Sequence, residues 1–356
     1  MTRYIEIYED VKKKIIEGVY EYNSKLPSKR VSADNYGVSV ITVEHAYELL
    51  MEEGYVVARE KSGYFVSYKE SDYFTGGSSE KMYSPPVRTG HDLHSLSRES
   101  EEISFNTYAK TVRRVLTEYG EEIKEKPDSF GCECLRLAIA NYLLKNRGIK
   151  TDYRRIIIGS GAEYLYGLIV RTFGRDIIYA IEDPSYRKIA LVYEAEGIKT
   201  DKLPLGSNGI DSEALWNTGA RILHVTPYRS FPTGVTASAA KKAEYIKWSV
   251  KKDGIIIEDD FESEFSSSRK PEETLFSRDK DGRVIYVNTF SKTIGSFMRT
   301  AYMVIPENLE HLFREKTGFA SCTVPALEQY VLAELLDRGD FVRHINKVRR
   351  KRRSEG

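Results

Sequence analysis

Lys292 closes the stretch Thr289-Phe290-Ser291-Lys292 and stands seven residues before Arg299. A side-chain amine can condense with an aldehyde, and a guanidinium close by can neutralise a phosphate. Earlier in the chain, Glu258-Asp259-Asp260 follows an apolar run. Clustered acids in such a place suit a metal site, a solvated loop and the partner of a cationic ligand alike. Earlier still, Gly159-Ser160-Gly161-Ala162 leads from an apolar run into an amphipathic stretch. The N–H groups and dipole at the start of such a helix favour a phosphate, although a tight strand-to-helix turn explains the same glycines. Each piece is weak alone, because a lone lysine is nearly always surface decoration. Together they fit one ligand. Lys292 would form an imine with an aldehyde cofactor, while an aspartate keeps a ring nitrogen protonated so that the ring can accept electrons. Arg299, Ser291 and the Gly161 turn would surround a phosphate.

These residues need a frame that brings them together. Apolar runs at Ile156–Ile158, Ile177–Ile181, Ile222–Val225, Ile255–Ile257, Val284–Val287 and Tyr302–Ile305 predict strands. Amphipathic helices are expected between them, at Ala162–Phe173, Tyr186–Glu196 and Ser238–Lys252. Continuously apolar strands suit a mainly parallel sheet covered on both faces, and ligands of such sheets sit beyond the strand C-termini. The chemically suggestive residues follow strands directly. The expected class is therefore α/β.

Three zones divide the chain: a small head (1–69), a Gly-, Ser- and Pro-rich linker (70–100) and the layered domain (101–356). In the head, Tyr4, Ile5, Tyr8, Val11, Ile15 and Ile16 recur at helical spacing, with Gly18 as a stop. Ser28 can cap a second helix. After a turn at Gly37-Val38, Ser39 can cap a third, carrying Val43, Ala46, Tyr47, Leu49 and Leu50. Tyr55-Val56-Val57 and Tyr64-Phe65-Val66, joined through Glu60 to Gly63, predict a hairpin. Helix, helix-turn-helix and hairpin wing together form a DNA-reading arrangement.

Composition bounds the rest. With 41% hydrophobic and 30% charged residues, the 356-residue chain is expected to be an ordinary globular protein. No apolar run is long enough to span a membrane and the start lacks a signal-peptide core, so the cytoplasm is the expected compartment. Three cysteines (Cys132, Cys134, Cys322) suit neither a disulfide framework nor zinc spacing, and no metal is expected. The 54 basic and 53 acidic residues nearly balance, so the case for nucleic acid rests on local pattern alone.

Specific wording sharpens these readings. Leu26-Pro27-Ser28-Lys29-Arg30, Val38-Ser39, Thr42-Val43, Ala46-Tyr47, Glu53-Gly54-Tyr55 and Ser62-Gly63-Tyr64-Phe65-Val66 resemble the GntR-type winged helix-turn-helix. Further on come Glu182-Asp183-Pro184-Ser185-Tyr186, Phe231-Pro232-Thr233-Gly234, Ile257 through Phe265, and Gly282 through Thr293. With these, nearly the whole chain outside the linker resembles the MocR subfamily, in which that head is fused to a fold-type I aminotransferase domain binding pyridoxal 5'-phosphate (PLP). The resemblance implies Lys292 as the imine lysine and Asp259, rather than Asp260, as partner of the pyridine nitrogen. It implies Tyr186 over the ring face, and Ser160, Gly161, Ala162, Ser291 and Arg299 around the phosphate. On the head it implies that the helix after Ser39 enters the major groove of a double-stranded operator. Arg30, Ser39, Thr42, His45, Lys61 and Gly63 become DNA-contact candidates.

The departures matter. Val40 stands where the family often has arginine. Phe261 replaces a tyrosine, which removes one hydrogen bond to the cofactor, a loss of about 1 kcal/mol. Ser296-Phe297 replaces a Pro-Gly pair. The chain also stops before the small C-terminal subdomain that carries the family's carboxylate-gripping arginine, so a truncated aminotransferase-like domain is expected. The implied function is a PLP-responsive transcription regulator, a head-to-tail homodimer open to an amine or amino-acid effector, with little or no turnover. The alternatives are a working PLP-dependent aminotransferase and a truncated, non-functional regulator.

Overall fold

The computed structural model describes residues 3–59, 62–69, 102–266 and 272–355. The expected linker, 70–100, lies outside the described residues, as does Lys61. Two compact units emerge, Met1–Leu93 and His94–Gly356.

The first unit contains α1 (Arg3–Ile16), α2 (Lys29–Tyr36), α3 (Val40–Glu52), β1 (Val56–Arg59) and β2 (Gly63–Val66). Both expected caps form. Ser28 Oγ accepts from the Val31 N–H and Ser39 Oγ from the Thr42 N–H, each supplying an acceptor that the first helical turn lacks. Gly37 takes the left-handed φ of 63° that ends α2 and turns the chain into α3. Ile7, Val11, Leu26, Val43, Tyr47, Leu50, Val56 and Val66 form one buried core, to which helices and wing alike contribute apolar faces. Tyr47 is tied in further, its hydroxyl donating to the Pro27 carbonyl at 3.0 Å. β1 and β2 pair antiparallel, Val56 opposite Val66, as a wing.

The second unit runs α4 (Phe105–Glu118), α5 (Glu133–Arg147), β3 (Ile156–Gly159), α6 (Ala162–Phe173), β4 (Tyr179–Asp183), α7 (Arg187–Ala195), β5 (Thr200–Gly206), β6 (Gly209–Ile210), α8 (Ser212–Asn217), β7 (Ile222–Val225) and α9 (Ala239–Lys251). It continues through β8 (Ile255–Asp259), α10 (Leu275–Arg278), β9 (Val284–Thr289), β10 (Ala301–Val304), α11 (Glu310–Thr317), α12 (Ala326–Asp337) and α13 (Asp340–Glu355). The strands form one eight-stranded sheet in the order β3-β10-β9-β8-β7-β4-β5-β6. β10 is antiparallel to both neighbours and β6 to β5, while the remaining pairs are parallel.

Strand alternation splits the apolar runs between two faces. Ile156, Ile158, Tyr286 and Tyr302 pack with α5, α12 and α13 residues, whereas Ile157, Ile285, Val287 and Met303 pack with α6, α7 and α11 residues. The sheet is thus the middle of three layers. All six expected strands are present. β5 and β6 add to that expectation, because β5 is half exposed and holds Pro204, which mutes the strand signal. No helix among the described residues is long and apolar enough to cross a membrane.

One buried ion pair braces the back of the sheet. Arg147 Nη2 lies 2.5 Å from Asp260 Oδ2, both side chains almost wholly buried, and the Tyr286 hydroxyl donates to the same oxygen at 2.8 Å. Removing one partner strands the other charge in a low-dielectric interior. Arg147→Met should lower stability by about 3–5 kcal/mol, read as a lower urea midpoint. The double variant Arg147→Met/Asp260→Leu should recover much of that loss.

Candidate functional site

The register of the sheet explains how distant residues meet. Gly159 of β3 pairs with Ala301 of β10, and Ala301 pairs with Thr289 of β9. β10 runs against its neighbours, so it begins where β3 and β9 end. Arg299, just before β10, therefore joins Gly161, just after β3, and Ser291 and Lys292, just after β9. On the next strand Asp259, at the end of β8, pairs with Val287. The outcome is a cleft of about 350 Å³ lined by Gly161, Ala162, Tyr186, Asp259, Ser291, Lys292 and Arg299. Ser160 is not among the lining residues, and its N–H donates to Thr323 Oγ1 at 3.1 Å.

Asp259 and Asp260 separate for a simple reason. Successive residues of an extended strand point to opposite faces. Asp259 faces the cleft and Asp260 the buried Arg147 behind the sheet. Asp259 is itself buried, and its Oδ2 accepts a hydrogen bond of 2.5 Å from the Tyr166 hydroxyl. None of the described hydrogen bonds reaches Oδ1. Burial, with Asp259 adding to it, raises the Tyr166 hydroxyl well above its usual range, so Tyr166 stays a proton donor. Behind Oδ2 lies His224 Nε2 at 3.6 Å, buried with no hydrogen-bond partner among the described residues. The other ring nitrogen of His224 shares a 2.8 Å hydrogen bond with the Tyr193 hydroxyl.

At the other end, Gly161 precedes the first turn of α6 with φ 106°, a conformation that disfavours side chains. A Cβ there would sit 2.9 Å from Arg299 Nη2 and 3.1 Å from Glu163 Oε2. Glu163 bridges two cations, Arg299 at 3.2 Å and Lys188 at 3.4 Å. Ser291 donates its hydroxyl to the Met298 carbonyl at 2.6 Å, which folds the segment between Lys292 and Arg299 into a closed loop. Tyr186 and Phe231 meet edge to face at the rim, 6.0 Å between ring centroids. Phe261 also lines the cleft.

Tyr166, Glu163, Lys188 and Phe231 line the cleft although sequence reasoning does not single them out, and His224 stands behind it. Tyr166 reads as a core position of an amphipathic helix, and only the packing of α6 against β8 reveals its use. A charge at Glu163, directly after the glycine turn, is the one legible signal.

On the head, Ser39 and Thr42 share a 2.8 Å hydroxyl contact at the start of α3. Arg30 and His45 are exposed, the His45 ring lying edge-on to Tyr4. Gly63 opens β2 with φ 110°, and a Cβ there would approach Lys25 Cε to 3.2 Å.

Residues 3–66 match the family model for bacterial regulatory proteins of the gntR family, and residues 99–355 match that for aminotransferase class I and II. The uncharacterised HTH-type transcriptional regulator YdeL of Bacillus subtilis is 30% identical over 98% of this chain and 76% of its own length. The probable rhizopine catabolism regulatory protein MocR of Rhizobium meliloti is 26% identical over 97% of this chain and 74% of its own. Among solved structures, a kynurenine aminotransferase of Pyrococcus horikoshii superposes with a TM-score of 0.63 at 24% identity, over 79% of this chain and 74% of that one. An archaeal alanine:glyoxylate aminotransferase superposes with a TM-score of 0.60 at 23% identity, over 69% of this chain and 64% of that one.

Beside the cleft, burial pushes the Glu182 carboxyl up from 4.5 to about 7, opposed by the hydrogen bond from Ser230. Because the folded carboxyl binds its proton more tightly than the unfolded one, its stabilising contribution is complete below 4.5 and lost as pH rises through about 7. Glu258 and Glu264 are raised to about 7 by the same cause. Urea midpoints should fall as pH rises from about 4.5 to about 7, and Glu182→Gln should flatten part of that slope.

Proposed function

The chain belongs to the gntR family of bacterial regulatory proteins in its MocR form, with a class I and II aminotransferase domain, and on that premise we propose a transcription regulator. Its head binds duplex DNA, and its larger unit binds PLP as effector or as a platform for an amine effector. The observation that carries the reading is the convergence of Lys292, Asp259 and Arg299 on one cleft.

The residues fit the cofactor. Asp259 keeps Oδ1 for the protonated pyridine nitrogen while Tyr166 holds Oδ2. His224 Nε2, which has no hydrogen-bond partner among the described residues, adds a polar group behind the same carboxylate. The Gly161 turn leaves space where a Cβ would collide with Arg299, as close approach of a phosphate requires. When bound, PLP supplies an aldehyde reactive toward amines and a ring that withdraws electrons. Lys292 offers the amine for attachment, and Tyr186 covers one ring face. Ala162, Ser291 and Arg299 serve the phosphate with Gly161, and Ser160 can contribute its hydroxyl.

Glu163 makes this binding responsive rather than permanent. A phosphate must take Arg299 from a carboxylate that already holds it. Ligand-dependent population of two arrangements is what an effector site needs, provided that the ligand favours one of them. On DNA, Arg30, Ser39, Thr42, His45, Lys61 and the Gly63 wing are the proposed contacts, presented as a pair by a head-to-tail homodimer.

Borohydride reduction after PLP addition should trap a covalent adduct on the intact chain, seen by mass, that is absent in Lys292→Ala. An undiminished adduct in that variant would sink the assignment. Glu163→Gln should tighten PLP binding about two- to fivefold while leaving pyridoxal, which lacks the phosphate, unchanged. Sustained transamination by the purified chain would identify a working enzyme instead.

A further inference from the structure

Helix α3 divides cleanly between two environments. Val43, Ala46, Tyr47 and Leu50 are fully buried in the head's core. The opposite face is led by Ile41, 64% exposed, and continues through exposed His45 and Glu48, while Val40, 40% exposed in the same first turn, stands at the edge between the two faces. Glu44 is engaged by Lys29 of α2, which ties the two helices of the motif together. No lysine or arginine occurs anywhere in α3.

That pattern is unusual for a helix expected to touch bases. Guanine is most often read by a guanidinium or ammonium reaching its O6 and N7, and α3 has neither group to offer. What its leading turn presents is branched hydrocarbon beside the Ser39 and Thr42 hydroxyls. In the major groove the apolar feature is the C5 methyl of thymine. Scattered exposed apolar side chains are ordinary. Here, however, two adjacent β-branched residues occupy the N-terminal turn, the part of a recognition helix that meets base edges. The charged groups of α3 itself are Glu44, Glu48 and Glu52, so cations for a duplex must come from the elements that flank it. Arg30, exposed at the start of α2, has no ion pair among the described residues, and Lys25 lies beside the wing glycine. Phosphates would be held by the cations of the flanking elements, and bases read by hydrocarbon from α3.

We propose that Val40 and Ile41 make α3 a reader of thymine methyl groups, so that the preferred duplex places A·T pairs under the first turn of the helix. This rests on the DNA-binding reading above. Both side chains stand outside the head's buried core, so their truncation leaves that core intact. Each methyl covered by Ile41 or Val40 accounts for about fourfold in affinity.

The test uses the full chain and duplexes recovered by selection from a randomised pool, then resynthesised with uracil in place of thymine. Removing the methyls should weaken binding by about fourfold for each thymine contacted. Ile41→Ala, checked for unchanged unfolding, should bind the thymine duplex more weakly and lose most of the thymine-over-uracil preference. Equal binding of thymine and uracil duplexes by the parent chain would overturn the inference while leaving DNA binding intact. An unaltered preference in both Ile41→Ala and Val40→Ala would do the same. Failure to retain any duplex would overturn the DNA-binding reading itself, and this inference with it.

Discussion

The antiparallel insertion of β10 between β3 and β9 is the constraint on which the cleft depends. In a wholly parallel sheet all strands would finish at one edge, and a residue that precedes a strand would lie at the opposite edge from one that follows a neighbour. Reversal of β10 brings the residue before it, Arg299, to the same edge as Gly161 and Lys292. The apolar core on both sheet faces holds this register, because a slip by one residue would carry Ile157 and Ile158 to each other's layers. The chemistry of the cleft is therefore a consequence of burial elsewhere.

Strand alternation makes a second, finer choice. Asp259 and Asp260 are adjacent carboxylates with opposite surroundings. Asp260 is neutralised behind the sheet by Arg147 and Tyr286, which leaves Asp259 to face the cleft with Tyr166 as its donor among the described residues. Around them Glu182, Glu258 and Glu264 are also buried, each raised toward neutrality by the cost of desolvating a carboxylate. A sheet end this rich in acids is tolerated because each has a hydrogen-bond donor: Ser230 for Glu182, the Leu275 and Phe276 N–H groups for Glu258, and Asn288 for Glu264.

The head relies on different physics. Its core is small, and its helices are delimited by caps: Ser28, Gly37 and Ser39 set where α2 begins and ends and where α3 begins. Those caps orient the exposed face of α3, and the Lys29–Glu44 pair joins the two helices. In both units a residue at an element's end decides where the candidate surface lies.

Local signals are fully readable from the amino acids. The Ser28 and Ser39 caps, the apolar runs of six strands, the glycine turn before α6 and the placement of Lys292 after β9 depend on neighbouring residues, which a linear pattern records. Family wording around Glu258 is equally local, and it singles out Asp259 over Asp260 without any geometry. Tertiary structure alone decides what depends on register and packing across long separations. Tyr166 lies 93 residues from the carboxylate it holds, Arg299 lies 136 residues from its partner Glu163, and the Ser160 N–H is turned to Thr323. β5 is hidden in the sequence because Pro204 and a half-exposed face obscure its period. A sequence states which groups are present and how they begin and end their own elements. Which of them share a cleft follows from how strands align, and that is settled by the burial of side chains far from the chemistry.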